Sequence, residues 1–317
     1  MTTNFSKISF TGLMCASISL FFLFGTNSFA QLYTPDRVPK LIDDLPVFFK
    51  PLEIQLLSDT SDGLLNSFTL LDAGLIASGA TTPVSLSQNR RRFKYLQQHA
   101  LLSIPYLLHT EHRAAEIFYY LHRQILRRFE TRPVTLLDLW TRGHYNCITA
   151  SYLYFIFARR YDLPVAVVET PMHAYIRLNT HPSLVIELTL PKRGFGFSQT
   201  RDDVLSNLLN AGLITPYDLS ISGIDALFKA YRERQRILTP VQILAVFFYN
   251  RALAAYEHRD MPYAFQYALA AHLIHPEDAR YRRLTRNFAL AYATALRRDG
   301  ETESLQAITA FLQDFAQ

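Results

Sequence analysis

Residues 143–189 read GHYNCITASYLYFIFARRYDLPVAVVETPMHAYIRLNTHPSLVIELT, and the order of elements within this stretch decides the fold. Ile148 to Tyr161 holds neither glycine nor proline and is rich in aliphatic and aromatic residues, the composition of a largely buried helix. Asn146 is a residue type that caps such a helix, which places Cys147 in its first turn. Asp162-Leu163-Pro164 ends it, because the residue before a proline is driven out of the helical region. Val165-Ala166-Val167-Val168 is then a short apolar run that reads as a buried strand. Two more strands, His173–Leu178 and Leu184–Thr189, flank the turn-rich Asn179-Thr180-His181-Pro182-Ser183 and form a hairpin signature.

This order carries chemistry: a helix with a cysteine, a strand, a strand with a histidine, a strand with a carboxylate. A helix N-terminus favours an anion, hence the nucleophilic thiolate, and its free N–H groups can bind an oxyanion. On the strand from His173, the side chains of His173, Tyr175 and Arg177 share one face, and Ala174, Ile176 and Leu178 the other. With Asn179-Thr180-His181 as the turn, His173 lies directly opposite Glu187; a shift of two residues leaves them diagonal neighbours. A carboxylate placed there accepts the Nδ1 proton, presents Nε2 to the sulfur and stabilises the imidazolium formed when the thiol ionises. Glu187 stands amid Val185, Ile186, Leu188 and Leu190, where a half-buried carboxylate needs a partner. Arg177 is the structural alternative to His173. Read on residue type alone, Cys147 is a small core hydrophobe.

Outward from this stretch the chain is mostly helical. From Asn89 to about Phe129 apolar residues recur every three and four positions, which predicts two or three helices with a break at Pro105. A short helix, Leu136 to Trp140, ends at Arg142-Gly143. Residues 31 to about 65, with Pro39, Pro46, Pro51 and Ser58-Asp59-Thr60-Ser61-Asp62-Gly63, read as a loosely structured lead-in. Helix returns after Ser198, through Val204–Leu209 and Ile224–Ile237, and Thr239-Pro240 starts another. Beyond it Ala252, Tyr256, Ala264, Tyr267, Ala268, Ala271 and Pro276 follow the small-and-large order of a tetratricopeptide-like hairpin. A second pair, Leu284–Arg298 and Glu301–Phe315, repeats the layout around Asp299-Gly300. Two such repeats need neighbours to cover their apolar faces, so this tail is expected to pack on the main domain.

The N-terminus has one positive charge, Lys7, an apolar run from Ile8 to Gly25, and small residues at Ser28 and Ala30 that suit cleavage before Gln31. A signal peptide over residues 1–30 is expected, giving a periplasmic or secreted protein; left uncleaved, the same run is a membrane anchor. Its removal takes Cys15 and leaves Cys147 as the lone thiol of the mature chain, which permits no internal disulfide. A lone cysteine in an oxidising compartment is either buried and inert or kept for chemistry. The whole chain of 317 residues, 49% hydrophobic and 19% charged, can bury a full core, and 32 basic against 27 acidic residues is too mild an excess to imply nucleic acid. The densest basic run, Arg90-Arg91-Arg92-Phe93-Lys94, reads as a solvated helix face.

Residues 143–189 resemble the transglutaminase-like superfamily, which includes papain-related bacterial cysteine proteases and amidases. The resemblance rests on Gly143 through Asn146-Cys147, Leu163-Pro164-Val165, Pro171-Met172-His173-Ala174-Tyr175-Ile176 and Ile186-Glu187-Leu188-Thr189. It implies an α+β papain-like core over residues 31–238, with the tetratricopeptide-like helices as residues 239–317. It also implies a catalytic triad of Cys147, His173 and Glu187, the last standing where the family has aspartate. In that setting Cys147 is read as the nucleophile. The activity implied is acyl transfer from an amide of a peptide or protein substrate, needing no cofactor. Water as acceptor makes a protease or amidase; an amine makes a transglutaminase. The alternative is a non-catalytic module that holds a peptide or cell-envelope partner, with the C-terminal helices as a further surface for a protein partner. His144 and Tyr145 are close enough to Cys147 to line a site or supply an oxyanion donor. His109-x-x-His112 with Glu116 has helix-face spacing but no third ligand motif, and is read as surface or core rather than metal. Gly194-Phe195-Gly196 is too short for a phosphate loop and is read as a turn.

Overall fold

Short polar residues start many of these helices. Thr69, Thr82, Thr135, Thr215 and Thr239 each accept a hydrogen bond from the backbone N–H three residues on, satisfying a donor that the helix itself leaves free. The computed structural model describes residues 37–315 apart from 106–108, 172, 181–183, 198–199 and 211. In chain order the first helices are α1 (Arg37–Asp43), α2 (Pro51–Asp59), α3 (Leu70–Ala77), α4 (Pro83–Ser103) and α5 (Thr110–Gln124). They lead to β1 (Arg128–Phe129), α6 (Leu136–Arg142), β2 (His144–Tyr145) and α7 (Cys147–Arg160). Strands β3 (Val165–Glu169), β4 (Ala174–Leu178) and β5 (Val185–Ile186) follow, then α8 (Arg201–Asn210), α9 (Pro216–Glu233) and β6 (Arg236–Leu238). Four helices close the chain: α10 (Pro240–Glu257), α11 (Met261–Ile274), α12 (Ala279–Asp299) and α13 (Thr302–Phe315). The fold is α+β, helix-rich with two small sheets. Residues 37–65 correct the expected lead-in: Pro51 opens α2 at a position where a proline costs the helix no hydrogen bond, instead of breaking it.

Helix α7 is the pillar of the site. Asn146 Oδ1 accepts from Thr149 N–H at 3.0 Å, and Thr149 Oγ1 accepts from Asn146 N–H at 2.9 Å, a reciprocal cap. Every residue from Ile148 to Ala158 is buried. The helix packs on β3 and β4, within a sheet of order β5-β4-β3-β6. All five residues of β3 are buried, while β4 alternates, with Ala174, Ile176 and Leu178 inward.

The hairpin differs in register from the turn drawn in the sequence. Ile176 pairs with Ile186 and Arg177 with Val185, and Leu178 N–H donates to the Leu184 carbonyl at 3.2 Å, so the loop runs over residues 179–183. Of these, 181–183 lie outside the described residues. The longer loop shifts the pairing by two residues and makes His173 a diagonal neighbour of Glu187. The second strand also stops earlier than Thr189: after Ile186 the chain turns back, Gly194 N–H donating to the Leu190 carbonyl and Glu187 N–H to the Gly194 carbonyl at 2.7 Å.

Residues 37–169, 173–197 and 237–315 form one compact unit, and residues 200–236 belong to another. The C-terminal helices, read as a region of their own, thus share a unit with the sheet. Helices α10 to α13 pack in succession, α10 also against α3 and α7 and α11 against α2, and a single hydrophobic core runs from Val38 to Phe311. Polar ties reinforce it. Arg251 of α10 pairs with the buried Glu53 of α2 at 2.8 Å, its guanidinium 3.8 Å from the Tyr267 ring centroid. Arg280 of α12 bonds Glu169 at the end of β3 at 2.9 Å and Asp278 at 2.6 Å. In the other unit α8 and α9 meet around Val204, Leu208 and Tyr231, and α9 is interrupted at Gly223. Among the described residues no helix is long and apolar enough to cross a membrane. Residues 1–30 and Cys15, the expected signal peptide, lie outside the described residues.

Candidate active site

Helix α6 ends at Gly143, whose φ of 73° is the left-handed conformation that lets the chain leave the helix and enter β2. β2 pairs in parallel with β1, Arg128 against His144 and Phe129 against Tyr145, and one residue later the cap of α7 begins. Cys147 is therefore the first residue of a buried helix. Its thiol is half-buried and free. A helix's first turn carries N–H groups without an intrahelical acceptor, of which that of Thr149 is taken by Asn146.

His173 immediately precedes β4 and keeps about a third of its side chain open, 29%. On one side it bonds to Glu187, and on the other it neighbours Cys147, whose thiolate favours the charged ring. The bond to Glu187 runs from Nε2 to Oε2 at 2.5 Å. This reverses the tautomer drawn from the sequence: Nε2 serves the carboxylate, and Nδ1 is the nitrogen left for the sulfur. Glu187 is 7% exposed, and its other oxygen, Oε1, accepts from the Thr189 N–H at 2.9 Å and the Thr189 hydroxyl at 2.5 Å. Glu187's carboxylate is thus engaged by His173 and Thr189, with Arg177 left on the same strand face as a residue without a carboxylate partner among the described residues.

The electrostatics follow from these contacts. Burial opposes a charge on His173, but the hydrogen bonds and negative charges of Cys147 and Glu187 outweigh it and raise the imidazole to about 10. Burial likewise opposes the Glu187 carboxylate, yet bonding to His173 and to both Thr189 donors holds it below its ordinary value. Both directions favour an imidazolium beside a carboxylate.

Other flagged residues take separate places. Tyr145 is buried, its phenol pushed up to about 12 by burial and by the charge of Glu187. His144 meets Glu130, Nδ1 to Oε1 at 3.3 Å, within a cluster that also holds Arg128 and Arg132. His109 and His112 have ring centroids 6.4 Å apart, and among the described residues no group of three His, Cys, Asp or Glu side chains could hold a metal ion. His122 packs on the rings of Phe118 and Tyr145, and burial pushes it down to about 4, so it is a neutral imidazole at physiological pH. The sequence reading did not single out His122, which looks like any apolar-face histidine, or the polar contacts of Thr189. For Thr189 a signal was present, since a hydroxyl two residues beyond a carboxylate can reach back to it.

The arrangement can ionise a thiol, hold the proton on an adjacent imidazole and fix that imidazole with a buried carboxylate. Comparison of the chain with protein-family models, with curated proteins and with solved structures finds no match.

Proposed function

We propose that this chain is an exported cysteine hydrolase of transglutaminase-like, papain-like design that acts on an amide of a peptide or protein through Cys147, His173 and Glu187. One observation carries the reading: a half-buried cysteine at the N-terminus of a buried helix neighbours a histidine that a buried carboxylate holds at 2.5 Å. In the proposed reaction the Cys147 thiolate adds to the amide carbonyl, and backbone N–H groups at the start of α7 receive the developing oxyanion. The His173 imidazolium gives its proton to the departing amine, the C–N bond breaks, and a thioester remains. Water then gives a proton to His173 and adds to the thioester, releasing the acid and restoring the thiolate-imidazolium pair. Glu187 keeps the ring oriented and compensates its charge throughout. An amine in place of water would make the same intermediate a transamidation; hydrolysis is favoured by resemblance. The tetratricopeptide-like helices α10–α13 are a further candidate surface for a protein partner.

The pH dependence of Cys147 alkylation by iodoacetamide, compared with His173→Ala, tests this. The expected result is a thiol that alkylates fast at neutral pH, with the advantage lost in the variant. A thiol indifferent to His173 would support the non-catalytic binding module instead.

A further inference from the structure

A glutamate in the third position of the triad reaches farther than an aspartate and has one more rotatable bond, so it must be held at more than one point to orient an imidazole. The structure holds Glu187 at three. Its backbone N–H donates to the Gly194 carbonyl at 2.7 Å. Its Oε2 meets His173, and its Oε1 receives both donors of Thr189. Gly194 closes the turn that starts at Leu190, with Phe195 beyond it bridging Ile186, and a side chain at 194 would collide with the Glu187 carbonyl, so only glycine lets the two backbone segments close on each other.

We propose that Thr189 is a positioning residue: its hydroxyl and N–H clasp Oε1 so that Oε2 is presented to His173 Nε2, which makes a glutamate competent where an aspartate would be too short. The proposal rests on the acyl-transfer reading and adds a residue to it. The hydroxyl is the replaceable half of the clasp. Without it the N–H still binds Oε1, but the carboxylate gains torsional freedom and loses a donor that favours its ionised form. An aspartate at 187 would fall short by one methylene, ~1.5 Å, and could serve His173 or Thr189 but not both.

The test is the alkylation of Cys147 by iodoacetamide, followed from acid to alkaline pH in wild type, Thr189→Val, Thr189→Ser and Glu187→Asp. Thr189→Val is expected to react about tenfold more slowly near neutrality, as befits loss of a hydrogen bond to a charged group. Its acid limb is expected to move to higher pH, because Glu187 takes up a proton more readily. Thr189→Ser should restore both rate and limb, which a purely packing role for the threonine methyl would not allow, and Glu187→Asp should resemble Thr189→Val rather than wild type. A Thr189→Val protein with the wild-type rate and acid limb overturns the positioning role while leaving the nucleophile reading intact, as does an aspartate that substitutes fully. If wild-type reactivity itself does not depend on His173, it is the acyl-transfer reading that fails. Should the valine variant not fold, a Thr189→Ser profile displaced like that of Glu187→Asp overturns the clasp, since serine keeps the donor.

Discussion

Of the glutamates buried in the one compact unit, Glu53 and Glu187 differ in their partners. Glu53, on α2, meets Arg251 of α10 at 2.8 Å, while its other oxygen accepts the Lys50 N–H at 3.0 Å. Glu187 meets His173 at 2.5 Å, while its other oxygen is held by Thr189. Both carboxylates are therefore fully occupied, which is what burial demands. The difference lies in the cation. An arginine does not release its proton in the range where proteins are folded, so the first pair is a permanent tie between two distant parts of the chain. A histidine does, so the second pair can pass a proton to and from a neighbouring sulfur. The same burial produces a structural tie in one region and a reactive one in the other.

The comparison breaks most visibly if the permanent cation is removed. Arg251→Ala leaves Glu53 buried without its cation, and should cost about 3–5 kcal/mol of stability, the usual penalty for orphaning one member of a buried pair. Urea unfolding would measure it, and Cys147 alkylation in the folded variant should stay at the wild-type rate. A similar loss in reactivity would mean that the two regions are not separable.

The next effect distinguishes the pairs by pH. A raised imidazole stabilises the fold fully below its ordinary value of 6.5, and that contribution is lost as pH rises through about 10. A lowered carboxylate contributes above its ordinary value of 4.5 and loses the contribution as pH falls through its depressed value. The stability difference between wild type and Glu187→Gln should therefore be greatest between 4.5 and 6.5 and shrink toward pH 10 and toward strong acid. The corresponding difference for Arg251→Ala should not shrink toward pH 10. Thermal unfolding across that range would sharpen the comparison, and a flat Glu187→Gln profile would count against the ion pair.

The smallest effect concerns the helix that presents the sulfur. Asn146→Ala removes one side of the reciprocal cap and should cost about 1 kcal/mol. It should also slow Cys147 alkylation modestly, because the first turn frays around the thiol. Reactivity unchanged despite the lost stability would show that the cap holds the helix but not the sulfur.

Much of this was legible without coordinates. The glycine- and proline-free run after Asn146 determined the helix, its cap and the place of Cys147, because capping and burial of a helix face are written in neighbouring residues. Alternation along Ala174–Leu178 determined which residues share a face with His173. Thr239-Pro240 and Asp299-Gly300 marked helix ends that the structure retains. Pairings across 14 residues were harder: the sequence left Glu187 either opposite or diagonal to His173 and gave it Nδ1, and it is diagonal and bound to Nε2. Residues 37–65 were misread because proline marks a helix start as well as a break.

The amino-acid sequence by itself determined the local elements and the residue types that can ionise, cap and turn, since these depend on a few adjacent side chains. Only the tertiary structure decided the hairpin register, the nitrogen that faces the carboxylate, the clasp of Thr189 and Gly194 on Glu187, and the union of α10–α13 with the sheet in one core. Each of those depends on distances between segments far apart in the chain, which are set by the packing of all the elements together.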